Sequence, residues 1–169
     1  MLLIRNETAA DIETIRRIND LAFCQRNESA LVEALRRRGA YTLSLVAELN
    51  GKLIGHVLFS PVTIDASDRQ LSALGMGPMA VLPEHQKSGV GSALIRRGLE
   101  ISRADGYRIV VVVGHPDFYP RFGFQVASRY GIRFSYEGPD ELFMAVELVP
   151  GALAETRGIV RYQPEFDLV

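Results

Sequence analysis

The sequence predicts an α/β (α+β) domain built on a mixed, mostly antiparallel central sheet of about six to seven strands flanked by helices. Three observations support this fold class. Two amphipathic helical segments come first, strand-like segments joined by tight-turn signals follow, and a glycine-bearing turn then leads from a strand into a third helix. A length of 169 residues suits a single domain. We expect that domain to span 1–169, with a core of 1–149 and a C-terminal extension of 150–169.

The first elements follow from local signals near the N terminus. Leu2 to Ile4 predicts a short strand. Thr8 and Asp11 then form the start of a helix, because their side chains can cap backbone N–H groups that lack intrahelical partners. A second amphipathic helix ends with arginines at 36–38 before Gly39, which is typical of a cationic last turn followed by a left-handed cap.

A meander of antiparallel strands is predicted next. The segments Thr42 to Glu48, Lys52 to Ile64 and Leu71 to Leu82 are rich in Leu, Val, Ile and Thr. Asn50-Gly51 between the first two is a strong signal for a tight hairpin turn.

The second half of the chain alternates between helix and strand. Apolar residues return to helical spacing in the third helix, and a continuous apolar run then indicates a strand that is covered on both faces. A short helix and two closing strands follow, and the tail after position 150 has only a weak pattern. The predicted ranges are Ser88 to Ala104, Arg108 to Val113, Pro116 to Phe122, Phe124 to Ala127 and Glu141 to Val149.

The composition excludes several classes of protein. Apolar residues make up 47% and charged residues 23%, which is typical of a globular chain and not of a disordered or fibrous one. Nineteen basic against 20 acidic residues leave a formal net charge of −1, so we expect neither nucleic acid nor a membrane as a partner. No apolar run approaches the roughly 20 residues of a membrane helix, and the N-terminal residues lack a signal-peptide pattern. We therefore expect a cytoplasmic location.

The chain has one cysteine, Cys24, which has no intramolecular disulfide partner. We expect a core thiol in a reducing compartment. No cluster of cysteine and histidine has the spacing of a metal site, so the sequence predicts no metal.

The most informative stretch is the glycine-bearing turn before the third helix. Gly89 and Gly91 let the backbone approach an anion closely, and the free N–H groups of the first helical turn point at that anion. This pattern predicts a pyrophosphate cradle, and a tight turn that needs glycine for backbone reasons alone is the alternative. No Gly-Lys-Ser/Thr closes the stretch, and Leu94 replaces the third glycine of G-x-G-x-x-G. A P-loop and a dinucleotide fingerprint are therefore disfavoured.

Two motifs in order give the chain a family resemblance. Gln86-Lys87-Ser88-Gly89-Val90-Gly91 matches Gln/Arg-x-x-Gly-x-Gly/Ala, and Tyr119-Pro120-Arg121-Phe122-Gly123-Phe124 matches Tyr-x-x-x-Gly-Phe. The chain therefore resembles the GNAT superfamily of acyl-CoA-dependent N-acyltransferases, and it looks most like a poorly characterised bacterial branch of predicted N-acetyltransferases. The resemblance covers nearly the whole chain and implies acetyl-CoA as the co-substrate.

The resemblance also implies which residues hold acetyl-CoA. The backbone from Met79 to Val81 would pair with the pantetheine arm, and the amides that follow would hold the pyrophosphate. An irregular edge strand without a ligand is the alternative for the first of these segments. The cofactor-binding residues are predicted to be Met79, Ala80, Val81, Gln86, Lys87, Ser88, Gly89, Val90, Gly91 and Ser92.

The catalytic residues are predicted from chemistry and from the resemblance together. Tyr119 matches the general acid of many GNAT enzymes, and a core aromatic residue is the alternative. The fourth strand carries no Glu or Asp at 74–77, where many members have a carboxylate that acts as base. His115 and His56 titrate near neutrality and are the candidate bases, although a lone histidine is more often structural or exposed.

The predicted function is N-acetyl transfer from acetyl-CoA to a primary amine of a small molecule or peptide, by direct attack in a ternary complex. A non-catalytic acyl-CoA sensor is the first alternative, and an interaction protein that shares only the fold is the second. The resemblance implies that the acceptor is shaped by the segments around Glu28, from Ile64 to Gln70 and from Arg129 to Pro139. A homodimer is left open.

Overall fold

The computed structural model describes residues 1–169. Its three α-helices are α1 (Ile12–Phe23), α2 (Asn27–Arg38) and α3 (Val90–Ala104). Its nine strands are β1 (Leu2–Asn6), β2 (Leu43–Leu49), β3 (Lys52–Asp65), β4 (Gln70–Val81), β5 (Ile109–Val113), β6 (Gln125–Val126), β7 (Ile132–Phe134), β8 (Phe143–Glu147) and β9 (Gly158–Arg161).

The strands follow the order β1-β2-β3-β4-β5-β8-β6, and β9 pairs with both β3 and β7. The pairs β4–β5 and β7–β9 are parallel, whereas β1–β2, β2–β3, β3–β9, β5–β8 and β6–β8 are antiparallel. This confirms the predicted mixed, mostly antiparallel sheet, with more strands than the sequence indicated.

The chain divides into two compact units. The first comprises residues 1–60, 77–98 and 164–169. Its core joins α1 and α2 to strands β2 and β3 through fully buried side chains, among them Ile15, Leu35, Val46 and Leu58. Ion pairs of Arg5 with Asp11 and of Arg36 with Glu7 lie at the margin of this core.

The second unit comprises residues 61–76 and 99–163. Its core contains Ile64 of β3, Val111 of β5, Ala145 of β8 and Val160 of β9, all with no exposed surface. The tail after position 150 therefore contributes a strand and core residues to this unit, although its sequence has little pattern.

Several local predictions are confirmed. The Thr8 backbone N–H donates to Asp11 Oδ2 at 2.7 Å, and a short 3₁₀ helix (Ala9–Asp11) leads into α1. Gly39 ends α2 with a φ of +66°. Asn50 and Gly51 both have positive φ, as a two-residue hairpin turn between β2 and β3 requires.

Other predictions are corrected. α3 begins at Val90 rather than at Ser88, because Gly89 has a left-handed φ of +91° that a helix excludes. The expected helix from Pro116 to Phe122 is only a 3₁₀ turn (Tyr119–Phe122). The prediction that Cys24 is a core thiol is wrong, because it ends α1 with a φ of +55° and is exposed.

Two glycines let α3 pack closely on β3 within the first unit. A Cβ at Gly55 would lie 3.1 Å from both Leu94 and Val90 of α3. A Cβ at Gly98 would overlap the ring of Phe59, which is fully buried. These two close contacts fix the axis of α3 on β3. They therefore also fix the direction in which the N terminus of α3 points.

No helix of the chain has both the length and the apolar character that crossing a membrane requires.

Candidate active site

The turn between β4 and α3 has the backbone geometry of an anion site. After β4 ends at Val81, a 3₁₀ helix (Pro83–His85) leads to Lys87 and Gly89, which have φ values of +61° and +91°. A Cβ at Gly89 would meet no atom within 4 Å. Glycine is therefore needed here for its backbone conformation, and the space in front of it is open.

The first turn of α3 presents unsatisfied donors. Ala93 N–H, which donates to Gly89 O at 3.0 Å, is the first N–H group with an acceptor one turn earlier, so the N–H groups of Val90, Gly91 and Ser92 have no such partner. The positive end of the helix dipole adds to these donors. The side chain of Lys87 is exposed beside them. Such a terminus favours a phosphate or another anion.

Two side chains hold this turn in place. Gln86 Nε2 donates to the carbonyl oxygen of Val81 at 3.0 Å, and Ser88 Oγ donates to the carbonyl oxygen of His85. Gln86 therefore ties the turn to the end of β4, a role that its motif position does not reveal. On β4, Ala80 is buried, while Met79 is half-buried. All ten predicted cofactor-binding residues belong to the first unit.

Tyr119 lies in the second unit at the start of its 3₁₀ turn. Its ring makes edge contacts with Phe118 and Phe124, with centroids 5.1 and 5.7 Å away. The ring also covers Gly114 so closely that a Cβ at that position would overlap it. Burial raises the pKa of the Tyr119 phenol above its usual range, so the hydroxyl stays protonated at neutral pH. Tyr119 is thus a packed aromatic ring whose hydroxyl is protonated at neutral pH.

His115 follows β5 in the same unit as Tyr119. Its side chain is exposed, and its carbonyl oxygen accepts the backbone N–H of Phe118 at 3.2 Å. This hydrogen bond forms the turn that leads to Tyr119. An exposed imidazole can exchange protons with solvent, as a general base must.

His56 is buried in the first unit and has no exposed surface. Its Nδ1 lies 3.3 Å from Asn19 Nδ2, and its Nε2 lies 2.9 Å from Ser44 Oγ. Since an amide nitrogen only donates, Nδ1 accepts and the Nε2–H donates to Ser44. Burial, and secondarily the charge of Arg36, lower the pKa of His56 to about 3. This environment favours a structural role over the role as base that the sequence left open.

The position on β4 that lacks a carboxylate is filled by an aromatic ring instead. A Cβ at Gly75 would lie 2.7 Å from Tyr162 Cε2 and 2.9 Å from Val62 Cγ1. No larger residue fits at Gly75 while that ring stays. Tyr162 directly follows β9, so the weakly patterned tail supplies a residue that sequence analysis missed. The only signal in the sequence is that Tyr162 follows the short apolar pair Ile159-Val160 in the tail, with only Arg161 between them.

Comparisons with known proteins identify the family of the chain. A family model described as an acetyltransferase (GNAT) domain matches residues 3–127. The Uncharacterized N-acetyltransferase YhbS of Escherichia coli (strain K12) is 35% identical over 167 residues, covering 98% of this chain and 99% of that protein. The Uncharacterized N-acetyltransferase YjhQ of the same strain is 38% identical over 136 residues, covering 78% of this chain and 75% of that protein.

Solved structures of GNAT acetyltransferases are also similar to this chain. The crystal structure of the GNAT family N-acetyltransferase YhbS from Escherichia coli, in complex with CoA, has a TM-score of 0.92 at 35% identity and covers 98% of this chain and 92% of its own. A GNAT family acetyltransferase from Brucella melitensis, in complex with acetyl-CoA, has a TM-score of 0.82 at 35% identity and covers 99% of each chain. The similarity therefore extends over both units.

The burial of His56 predicts a pH dependence of stability. The folded-state pKa of about 3 lies below the roughly 6.5 of an unfolded histidine, so the unfolded chain binds the proton first as the pH falls. Stability should decline below about pH 6.5, by at most about 1.4 kcal/mol per pH unit from this group. Urea unfolding of wild type and His56→Gln between pH 7 and pH 5 measures the difference in slope.

The control is the same comparison between pH 7 and pH 8, where a histidine is neutral in the unfolded chain and both proteins should have the same slope. Identical slopes for wild type and His56→Gln would mean that His56 gains its proton in the folded state, and would restore it as a candidate base.

Proposed function

The chain belongs to the GNAT acetyltransferase family, and on that premise we propose that it transfers an acetyl group from acetyl-CoA to a primary amine of a small molecule or peptide. The amine nitrogen forms its bond to the acetyl carbon while both substrates are bound, and the carbon–sulfur bond breaks in the same ternary complex. The main support is the backbone of the β4–α3 turn, where positive φ at Gly89 and the first-turn donors of α3 form an anion site.

The residues present fit acetyl-CoA. The N–H groups of Val90, Gly91 and Ser92 would hold the pyrophosphate, with Lys87 beside them as an exposed cation. Met79 and Ala80 would offer backbone groups of β4 to the pantetheine arm. Val81 would extend this pairing, and its carbonyl oxygen also accepts from Gln86 Nε2, which would hold the end of the pairing edge in place. Acetyl-CoA would supply an activated thioester, and this chain would bind and orient both acetyl-CoA and the amine.

Tyr119 is proposed as the donor to the departing sulfur. Its raised pKa keeps the phenol protonated, so the donor is present throughout the neutral range. A phenol with a pKa above 10 is a weaker acid than a thiol near 8.5, so complete transfer is uphill by at least about 2 kcal/mol. Tyr119 therefore acts mainly as a hydrogen-bond donor to the developing negative charge, and solvent completes the protonation.

His115 is proposed as the group that takes the proton from the amine, directly or through water. β4 has no carboxylate at 74–77, and the ring of Tyr162 occupies the space beside Gly75. Because His56 is hydrogen-bonded at both ring nitrogens and has no exposed surface, the proposal assigns it no part in the proton transfer. His115 is exposed and precedes Tyr119 along one turn.

The proposal as a whole is tested by incubating the protein with acetyl-CoA and a panel of amines and peptides, with CoA release as the signal. Turnover of any amine supports the enzyme. A protein that binds acetyl-CoA tightly and releases no CoA with any acceptor would be a sensor, which the absence of a carboxylate on β4 also fits.

The anion site predicts that Gly91→Glu weakens CoA binding by more than about 10-fold. The substitution places bulk and a negative charge at the first turn of α3, where the pyrophosphate is expected. Calorimetry on folded protein measures the effect. Ala104→Glu adds the same side chain at the other end of α3 and should keep the wild-type affinity. Unchanged affinity in Gly91→Glu would remove this turn from the binding site.

The role of Tyr119 predicts that Tyr119→Phe binds CoA normally and loses about 10²- to 10³-fold in kcat, because one hydrogen-bond donor to the developing charge disappears with almost no change in volume. Steady-state kinetics with the best amine of the panel provides the test. Tyr107→Phe, which deletes a hydroxyl elsewhere in the second unit, is the control. Full turnover in Tyr119→Phe would leave Tyr119 as a packing residue.

The role of His115 predicts an acidic limb in the pH profile of kcat/KM, because a protonated imidazole cannot accept the proton of the amine. His115→Gln should lose this limb and still bind acetyl-CoA. If the limb persists in His115→Gln, the proton leaves by another route, such as a chain of water molecules.

A further inference from the structure

Four aromatic side chains of the second unit pack together, and we call them the ring cluster: Phe134, Tyr136, Phe143 and Tyr162. The centroid of Phe134 lies 4.9 Å from that of Phe143 and 6.1 Å from that of Tyr162, while Tyr136 lies 5.9 Å from Tyr162. The rings are tilted by 39° to 51° rather than stacked flat, and Tyr136 is 36% exposed. The cluster therefore presents aromatic surface to solvent.

The ring cluster lies next to the end of β5, from which the chain continues to Tyr119. Phe143 pairs with Val113, the last residue of β5. The next N–H, that of Gly114, donates to the carbonyl oxygen of Leu142 at 3.0 Å, and the ring of Tyr119 covers Gly114. Burial raises the pKa of Tyr162 above its usual range, so its hydroxyl stays protonated.

An acidic segment lies against the same rings. Residues 135–142 contain Glu137, Asp140 and Glu141 and no basic residue. A Cβ at Gly138 would lie 3.2 Å from Phe143 Cζ, so this segment contacts the ring cluster directly. Asp140 accepts a hydrogen bond from Ser128 Oγ at 2.6 Å, which anchors the segment.

Two arginines are neighbours of the ring cluster along the chain. Arg133 precedes Phe134 on β7, so strand alternation places the two side chains on opposite faces of that strand, and Arg161 is the last residue of β9, directly before Tyr162. Arg161 also donates to Asp65 Oδ2 at 2.6 Å. The ring cluster and the acidic segment together form an aromatic surface with negative charge at its margin.

We propose that the ring cluster and the acidic segment receive the acceptor, so that the substrate is a primary amine on an apolar or aromatic body that carries no carboxylate near the amino group. This inference rests on the proposed acetyl transfer and specifies its substrate class. Aromatic faces attract an ammonium group and pack against an apolar body, and the carboxylates favour a cation. A carboxylate on the substrate would meet the like charges of Glu137, Asp140 and Glu141.

The first experiment measures binding of three amines to the protein–CoA complex by calorimetry. Phenethylamine has the proposed features, L-phenylalanine adds an α-carboxylate to the same skeleton, and ethylamine lacks the ring. We expect phenethylamine to bind at least about 10-fold more tightly than either of the others. Equal affinity for all three, or tighter binding of L-phenylalanine, would overturn the inference.

The second experiment tests the residues. Tyr136→Ala should weaken phenethylamine binding by about 3- to 30-fold, whereas Tyr136→Phe, which keeps the ring, should restore it. Glu137→Gln with Glu141→Gln should reduce the preference for phenethylamine over L-phenylalanine. Glu155→Gln is the matched control, because that carboxylate pairs with Arg108 just before β5, at the strand end opposite Tyr119. An unchanged preference in the Glu137/Glu141 variant, or Tyr136→Ala binding like wild type, would overturn the inference.

The binding readout separates this inference from the proposed function. If phenethylamine binds selectively and no CoA is released, the substrate class stands as a ligand class and the acetyl-transfer proposal fails. If CoA is released with amines of every kind without a preference, acetyl transfer stands and the ring cluster loses its assigned role.

Discussion

The close packing of α3 on β3 is the constraint on which the anion site depends. A helix N terminus binds an anion only where its axis is held, because the donors of the first turn all point along that axis. Gly55 and Gly98 remove the two side chains that would separate helix and strand, and Phe59 fills the space at Gly98. The fixed helix then needs a sharp entry from β4, which positive φ at Lys87 and Gly89 provides.

In the second unit, too, aromatic rings fill the space beside glycines. The ring of Tyr162 takes the space over Gly75, and the ring of Tyr119 takes the space over Gly114. In each case the glycine has no side chain, and the ring of an aromatic residue from another segment covers its backbone. The missing carboxylate on β4 is therefore part of a packing arrangement, since a carboxylate at Gly75 and the ring of Tyr162 exclude each other.

Local signals explain what the sequence could predict. The cap at Gly39, the Asn50-Gly51 turn and the glycines before α3 depend only on neighbouring residues, so they could be identified directly. Strands β7 and β9 are short and pair with distant segments, and neither has a periodic pattern long enough to indicate it. The burial of His56 depends on Asn19 and Ser44 meeting it from α1 and β2, which no spacing along the chain reveals.

The placement of charge and rings bears on the central difficulty of amine acetylation. An amine reaches the protein as a cation and reacts only after it loses a proton. Carboxylates favour the cation, so Glu137 and Glu141 on the exposed segment would help to attract it and would oppose its deprotonation. The rings would act in two ways, because cation–π attraction favours the charged form whereas loss of hydration disfavours it. In the proposed complex, an ammonium group that leaves the acidic segment and loses its hydration among the rings would therefore be easier to deprotonate, and this would lower the demand on the proposed base, His115.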